Sequence, residues 1–330
     1  MKLRALLVFG LLGSVSASFA SFEMMLVAGD EGIHRYDPQN NVVLGKFAQL
    51  DGAHLDVSLD PTRPGEVVSI NSFGTINRYD YNTGEYRGGF SIGNIFVNEI
   101  PRVSVMASGN ILVSAFLQSA GAPVTRMYSP TGALITSLDS FGPSYQTLDS
   151  IQAPGGSLHT LVRLSGFDGI DYFLGNFTET GSFTGLTQIV NDPVNGTRFG
   201  TLGIVNNKVV AASGYYSTTA DQLYSFNSGF FDAPTAISVN VSVGSIGASN
   251  YVGGHNGYGY MIHSYSTSGT QRNRLYRYNP GSNFASLTSV NPALNDQIYG
   301  SAIVLAPEPG TMIALGLGLA AVVRRRKNSA

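Results

Sequence analysis

The chain has 330 residues, no cysteine, no tryptophan, a formal net charge of −2 and only 12% charged residues. The missing cysteine excludes disulfide staples, thiolate metal sites, a cysteine nucleophile and a lipid-modified N-terminal cysteine. With 19 basic and 21 acidic residues and no basic patch in the body, nucleic acid is excluded as an expected partner.

In chain order, the first element is a leader. Lys2 and Arg4 form a short basic region, residues 5–12 (ALLVFGLL) are apolar, and Ser18 and Ala20 put small residues at the −3 and −1 positions of a cut after Ala20. The pattern predicts a secretory signal peptide over residues 1–20, removed by signal peptidase. Its apolar run is too short to span a bilayer. A cut after Ala17 is the alternative.

Residues 21–306 follow as one expected domain. With 40 glycines, 17 tyrosines and 18 phenylalanines in the chain, the composition suits many short strands joined by tight turns. One pattern recurs: a strand ending in an aromatic, a polar turn, then another strand. It reads IHRYDPQNNVVLGKF from Ile33, INRYDYNTGEYRGGF from Ile76 and VTRMYSPTGALITSL from Val124. Fainter copies begin at Tyr172, Gln222 and Arg274. The anchoring aromatics Tyr36, Tyr79, Tyr128, Phe177, Phe226 and Tyr278 are 43, 49, 49, 49 and 52 residues apart. In the second unit HLDVSLD, EVVSIN, TINRYDY and YRGGFSI supply four strands. Four antiparallel strands in each ~40–50 residues are the signature of a β-propeller blade.

No segment of the body sustains a 3.6-residue apolar period, so the expected fold class is all-β. The first unit lacks an innermost strand, and the last is followed by a spare one, DQIYGSAIVLA (296–306). If that strand completes the first blade, six blades close into a ring without exposed edges. The expectation is therefore a six-bladed propeller. A seven-bladed ring with one degenerate unit is the alternative, and a two-sheet lectin-like sandwich is the competing fold.

The tail begins with Pro307-Glu308-Pro309 and Gly310, runs through an apolar stretch over residues 311–323, and ends in Arg324-Arg325-Arg326-Lys327. A thirteen-residue helix rises only ~20 Å against a hydrocarbon core of ~30 Å, so it is expected to anchor the chain transiently. The basic cluster would stay cytoplasmic and the body outside. These three parts, in this order over residues 307–330, closely resemble the PEP-CTERM sorting signal of exported proteins in bacteria that make exopolysaccharide. The resemblance implies recognition and processing near the motif by a membrane enzyme, exosortase, and delivery of the body to the cell surface or matrix. It implies nothing about the activity of the body.

For chemistry the body offers five histidines, none in HExxH spacing, and neither a G-x-S-x-G elbow nor a Walker loop. His34 lies where the second unit has Asn77, which predicts a solvent-facing polar position. Asp56 and Asp149 fall at matching places in presumed inner strands, with Glu99 and Asp296 near the starts of two others. Such a ring could hold Ca²⁺, a hard cation that prefers oxygen ligands, as six-bladed lactonases of the gluconolactonase type do. The alignment puts Gly203 and Gly300 at the equivalent places in the fifth unit and the closing strand, which leaves the ring incomplete. The favoured reading makes these carboxylates strand-end residues that satisfy backbone donors or face water.

Residues 167–171 (FDGID) read as a turn. Residues 251–265 (YVGGHNGYGYMIHSY) could stack on sugars but are expected to pack between blades. The sequons at Asn176, Asn195 and Asn240 are incidental in a bacterium. The expected function is a non-enzymatic surface or matrix protein that binds exopolysaccharide or an envelope partner, without a cofactor. The alternative is a metal-dependent lactonase using Asp56, Glu99, Asp149 and Asp296.

Overall fold

The structure is a computed structural model that describes residues 21–48, 52–97, 100–139, 141, 144–166, 169–192, 199–205, 208–213, 221–226, 235–239, 247–255, 258–267, 270–278, 287–290, 294, 296 and 298–307. The leader, Glu99 and the tail beyond Pro307 lie outside the described residues, as does the helix expected over 311–323. Among the described residues every regular element is a strand, and no helix is long and apolar enough to cross a membrane.

Among the described residues the strands form six four-stranded sheets. The first joins β1 (Ser21–Gly29), β2 (Gly32–Asp37) and β3 (Val42–Phe47) to the last strand of the chain, β24 (Ile298–Pro307). The second holds β4 (His54–Leu59), β5 (Glu66–Asn71), β6 (Thr75–Asp80) and β7 (Tyr86–Ser91). The third holds β8 (Arg102–Val105), β9 (Ile111–Leu117), β10 (Ala122–Tyr128) and β11 (Leu134–Ser137). The fourth holds β12 (Tyr145–Gln152), β13 (Leu158–Gly166), β14 (Gly169–Phe177) and β15 (Phe183–Asp192). The fifth holds β16 (Phe199–Val205), β17 (Lys208–Ser213), β18 (Asp221–Phe226) and β19 (Thr235–Val239). The sixth holds β20 (Gly247–His255), β21 (Tyr258–Thr267), β22 (Thr270–Tyr278) and β23 (Leu287–Val290).

Each of sheets two to six is an antiparallel meander of consecutive strands, and the spare strand takes the first place in sheet one, with its end at Pro307 rather than Ala306. The six aromatic anchors all fall on the third strands. In sheets one to four the ladder between the third and fourth strands slips by one residue immediately before the anchor, at Tyr36, Tyr79, Tyr128 and Phe177. The bulge turns that ring into the interior, and all four are buried.

The turn that follows is also repeated. Asp37 Oδ1 accepts the N–H groups of Gln39 and Asn40 at 2.9 and 3.0 Å, and Asp80 Oδ1 those of Asn82 and Thr83, both at 2.9 Å. Ser129 and Thr178 serve the same purpose with their hydroxyls. In sheets two to four this turn ends on Thr-Gly, and the glycine lies against the outer strand of the preceding sheet. At Gly132, with φ +93°, a Cβ would come within 2.5 Å of Phe90 Cγ, so this turn needs glycine both for its left-handed backbone and for the close approach.

The core lies between sheets. The middle strands are buried on both faces, as in β5 and β9, so they read as apolar runs rather than alternating ones. Leu55, Ile70 and Ile76 of sheet two pack on Val103, Val113 and Val124 of sheet three. Met106, Leu112 and Leu138 of sheet three pack on Leu158 and Phe177 of sheet four. Leu161, Tyr172 and Leu174 of sheet four meet Leu202 and Val209 of sheet five. Met25, Val27 and Tyr36 of sheet one meet Tyr260 and Leu275 of sheet six. Outer strands are wet: β3 exposes Val42, Val43 and Leu44, and β11 exposes Leu134 and Ile135.

Candidate functional site

The first strands of sheets two, four, five and six share a device. Their pairing with the second strand slips by one residue just before Asp56, Asp149, Thr201 and Tyr251. This register, not residue counting, defines the equivalent position. It corrects the alignment of Gly203, which pairs with Val210 two residues further on. The bulge re-aims the side chain after it, and both aspartates use that freedom to reach the next sheet.

Asp56 Oδ2 accepts the N–H of Val103 in β8 at 2.8 Å. Asp149 Oδ2 accepts the N–H of Leu202 in β16 at 2.6 Å and the Thr201 hydroxyl at 3.1 Å, while its Oδ1 accepts the N–H of Ser150 at 2.7 Å. Each carboxylate thus joins its own inner strand to the following one. On its other side Asp56 lies against Gly300 of β24.

Arg102, the first residue of β8, shares this environment. Its Nη1 donates to the Tyr299 carbonyl at 2.6 Å and stands 3.9 Å from Asp56 Oδ1. Burial pushes Asp56 up to about 7 against the pull of Arg102, and Asp149 adds to the rise. Burial also raises Asp149, again opposed by Arg102 and by the backbone donors. The positive charge among these carboxylates is therefore a guanidinium, and their oxygens face backbone N–H groups.

Asp296 is engaged elsewhere. Its Oδ2 accepts the Glu31 N–H and contacts His34 Nε2, both at 2.9 Å. Among the described residues no group of three or more carboxylate or histidine side chains is arranged to hold a metal ion. His34 is buried, as is Asn77, which corrects the expectation of a solvent-facing position. The reason is that the middle strands of a blade are covered on both faces by its neighbours.

His54 and His159 are interior too. His54 Nδ1 lies 2.9 Å from Ser69 Oγ. His159 sits in a chain that crosses three strands: Ser157 Oγ to His159 Nε2 at 3.0 Å, His159 Nδ1 to Asn176 Oδ1 at 2.9 Å, and Asn176 Nδ2 to Thr187 Oγ1 at 3.0 Å. Sequence reasoning missed this chain. The available signal was the i, i+2 spacing of Ser157 and His159, which puts both on one face of a strand. Asn176, which opens a sequon, is inside the same network.

Side chains of residues 251–259 and 261–265 lie outside the described ones, so the sugar-stacking stretch is placed only as strands β20 and β21. Residues 167 and 168 of the FDGID stretch also fall outside. Gly166 and Gly169 pair across that point, as the expected turn requires. Among the described residues, exposed aromatics include Phe73 and Phe96. Phe73, on the β5–β6 turn, is 64% exposed, and Phe96, stacked edge-on to Phe116 at 4.9 Å, is 44% exposed.

Consecutive four-stranded antiparallel meanders, repeated along one chain and packed face to face, define the blade architecture of β-propellers. Residues 305–327 match the PEP-CTERM protein-sorting motif. The match implies an exported, envelope-associated protein processed by an exosortase. Its first three residues belong to β24. No curated protein matches the chain. Similar solved structures include the β-propeller domain of Cps50 (Swd1) from Myceliophteria thermophila, at 12% identity and TM-score 0.49 over 81% of this chain and 82% of that one. Another is the computationally designed Ika8 protein, at 12% identity and TM-score 0.43 over 83% of this chain and 72% of that one.

Proposed function

We propose that this chain is a cell-surface or extracellular-matrix protein whose body, a six-bladed ring closed by β24, acts as a binding module for exopolysaccharide or an envelope partner. The leader is removed after Ala20, and residues 311–323 hold the chain in the inner membrane until the tail is processed. The observation that carries the binding role is the bonding of Asp56 and Asp149. Their oxygens join neighbouring inner strands beside Arg102, an arrangement that serves stability rather than a metal-centred hydrolysis. Binding needs only exposed loops and aromatic platforms, which Phe73 and Phe96 provide.

The test pairs two measurements. Calcium up to millimolar levels is expected to leave the melting temperature of the chain unchanged. Native exopolysaccharide is expected to retain the chain, with weaker retention after Phe73→Ala and Phe96→Ala. A tight single calcium site that disappears in Asp56→Ala and Asp149→Ala would replace this reading with the metal-dependent lactonase.

Sorting is tested separately. Changing Pro307, Glu308 and Pro309 to alanine is expected to leave a longer, membrane-retained form, seen by fractionation and intact mass. Normal trimming and release of that variant would remove the sorting role from these residues.

A further inference from the structure

The chain Ser157–His159–Asn176 has the order nucleophile, base, orienting group. Strand geometry builds it. Ser157 closes the β12–β13 turn, and His159, two residues on, points to the same face of β13. Asn176 is the direct cross-strand partner of His159 on β14. Asn176 Nδ2 donates to Thr187 Oγ1, so Oδ1 faces the imidazole. Nδ1 then carries the ring proton and donates to Asn176, and Nε2 is left to accept from the Ser157 hydroxyl. Asn176 is thus a positioning residue that fixes the tautomer.

The imidazole is buried, but the serine is half-buried at the surface. The glycine turn before it is open: a Cβ on Gly155 would meet nothing within 4 Å. Beside it, Gly156 faces the Glu179 carboxylate, with 3.5 Å from its Cβ position to Oε2. Burial pushes His159 down to about 4, opposed by the bond to Asn176, so the ring is in its neutral, accepting form well into the acid range.

We propose that Ser157, with His159 as general base and Asn176 as its orienting partner, is an acyl-accepting nucleophile directed at carboxylic esters with an uncharged or cationic acyl group. The carboxylate of Glu179, beside the adjoining Gly156, disfavours anionic ones. Ser157 Oγ adds to the ester carbonyl carbon as its proton passes to His159 Nε2. Collapse of the adduct breaks the C–O bond to the leaving group, and the proton moves from Nε2 to the departing alkoxide. Water repeats the sequence on the acylated serine, releasing the carboxylic acid and restoring the Ser157 hydroxyl. The site lies within sheet four and is independent of the sorting signal and of any metal.

The test is covalent labelling of the full-length chain with a fluorophosphonate, read by peptide mass spectrometry. Ser157 is expected to label in the native chain much faster than Ser182, an exposed serine of the same sheet, and to lose that advantage in urea. Ser157→Ala removes the label, and His159→Gln slows it about 100-fold. The native rate should hold down to acid pH and fall through about 4, rather than through the ~6.5 of an ordinary imidazole. Equal labelling of Ser157 and Ser182 in the native wild-type chain, or no change on unfolding, overturns the proposal even if the His159 variant fails to fold.

Discussion

Gly300→Ala is expected to destabilise the chain by about 3 kcal/mol, although alanine ordinarily strengthens a strand by roughly 0.5–1 kcal/mol over glycine. The difference is a matter of space. Gly300 lies on β24 where that strand passes Asp56. A Cβ there would come within 2.9 Å of Asp56 Cα and closer still to its carboxylate, and the backbone atom cannot step aside. Asp56 is meanwhile held by Val103 on its other side. The inner strands of three sheets are thus packed in series, and one methyl group displaces all of them. Thermal or denaturant unfolding of the variant measures the loss. In an Asp56→Ala background the cost of the same change should shrink but not vanish, because the backbone of β4 still stands in the way of the new methyl group. A Gly300→Ala chain as stable as wild type would show that β24 is not seated against β4.

Phe177→Ala should cost about 3–5 kcal/mol, the range for deleting a buried aromatic ring. Phe177 is 1% exposed and closes sheet four onto Met106, Leu112, Met127 and Leu138 of sheet three. Its ring also meets Phe141 at 5.4 Å and Phe183 at 5.5 Å, both edge-on. Close neighbours on two sheets cannot all collapse into the space, so a cavity term adds to the lost transfer energy. Phe177→Leu should retain most of the stability. Equal losses for the two variants in denaturant unfolding would mean that the anchor does not join the sheets.

Much of this fold was legible in order along the chain. The anchors Tyr36, Tyr79, Tyr128 and Phe177 stand at near-constant spacing because each follows the same bulge on the same strand. The turns after them recur because an Asp, Ser or Thr at the start of each turn accepts N–H groups two to four residues further on. The spare last strand is visible as a surplus. What could not be read was the register of the inner strands. The bulge in β16 puts the equivalent position at Thr201, two residues before Gly203, and residue counting does not see it. His34 reads as a surface residue because the second unit has the polar Asn77 at the same place, and a position that is polar in both units suggests water. It is instead buried and bonded to Asp296, which lies 262 residues away in the chain.

By itself, then, the sequence determined those features that arise within about fifty residues. These are the strand period, the capped turns, the aromatic anchors, and the sorting signal, whose three parts are contiguous. Local hydrogen bonding and the alternation of side chains along a strand are enough to produce them. Only the tertiary structure decided what the polar residues do. Asp56, nominated as a metal ligand, accepts a backbone N–H 47 residues further along, and Arg102 supplies the nearby positive charge. Ser157, His159 and Asn176 carry no signal as a group, because the bond between His159 and Asn176 exists only once β13 and β14 are paired in one register. Both outcomes have the same physical reason. The partner of a buried polar group is set by which strands lie side by side, and that is a property of the packed sheets rather than of neighbours in the chain.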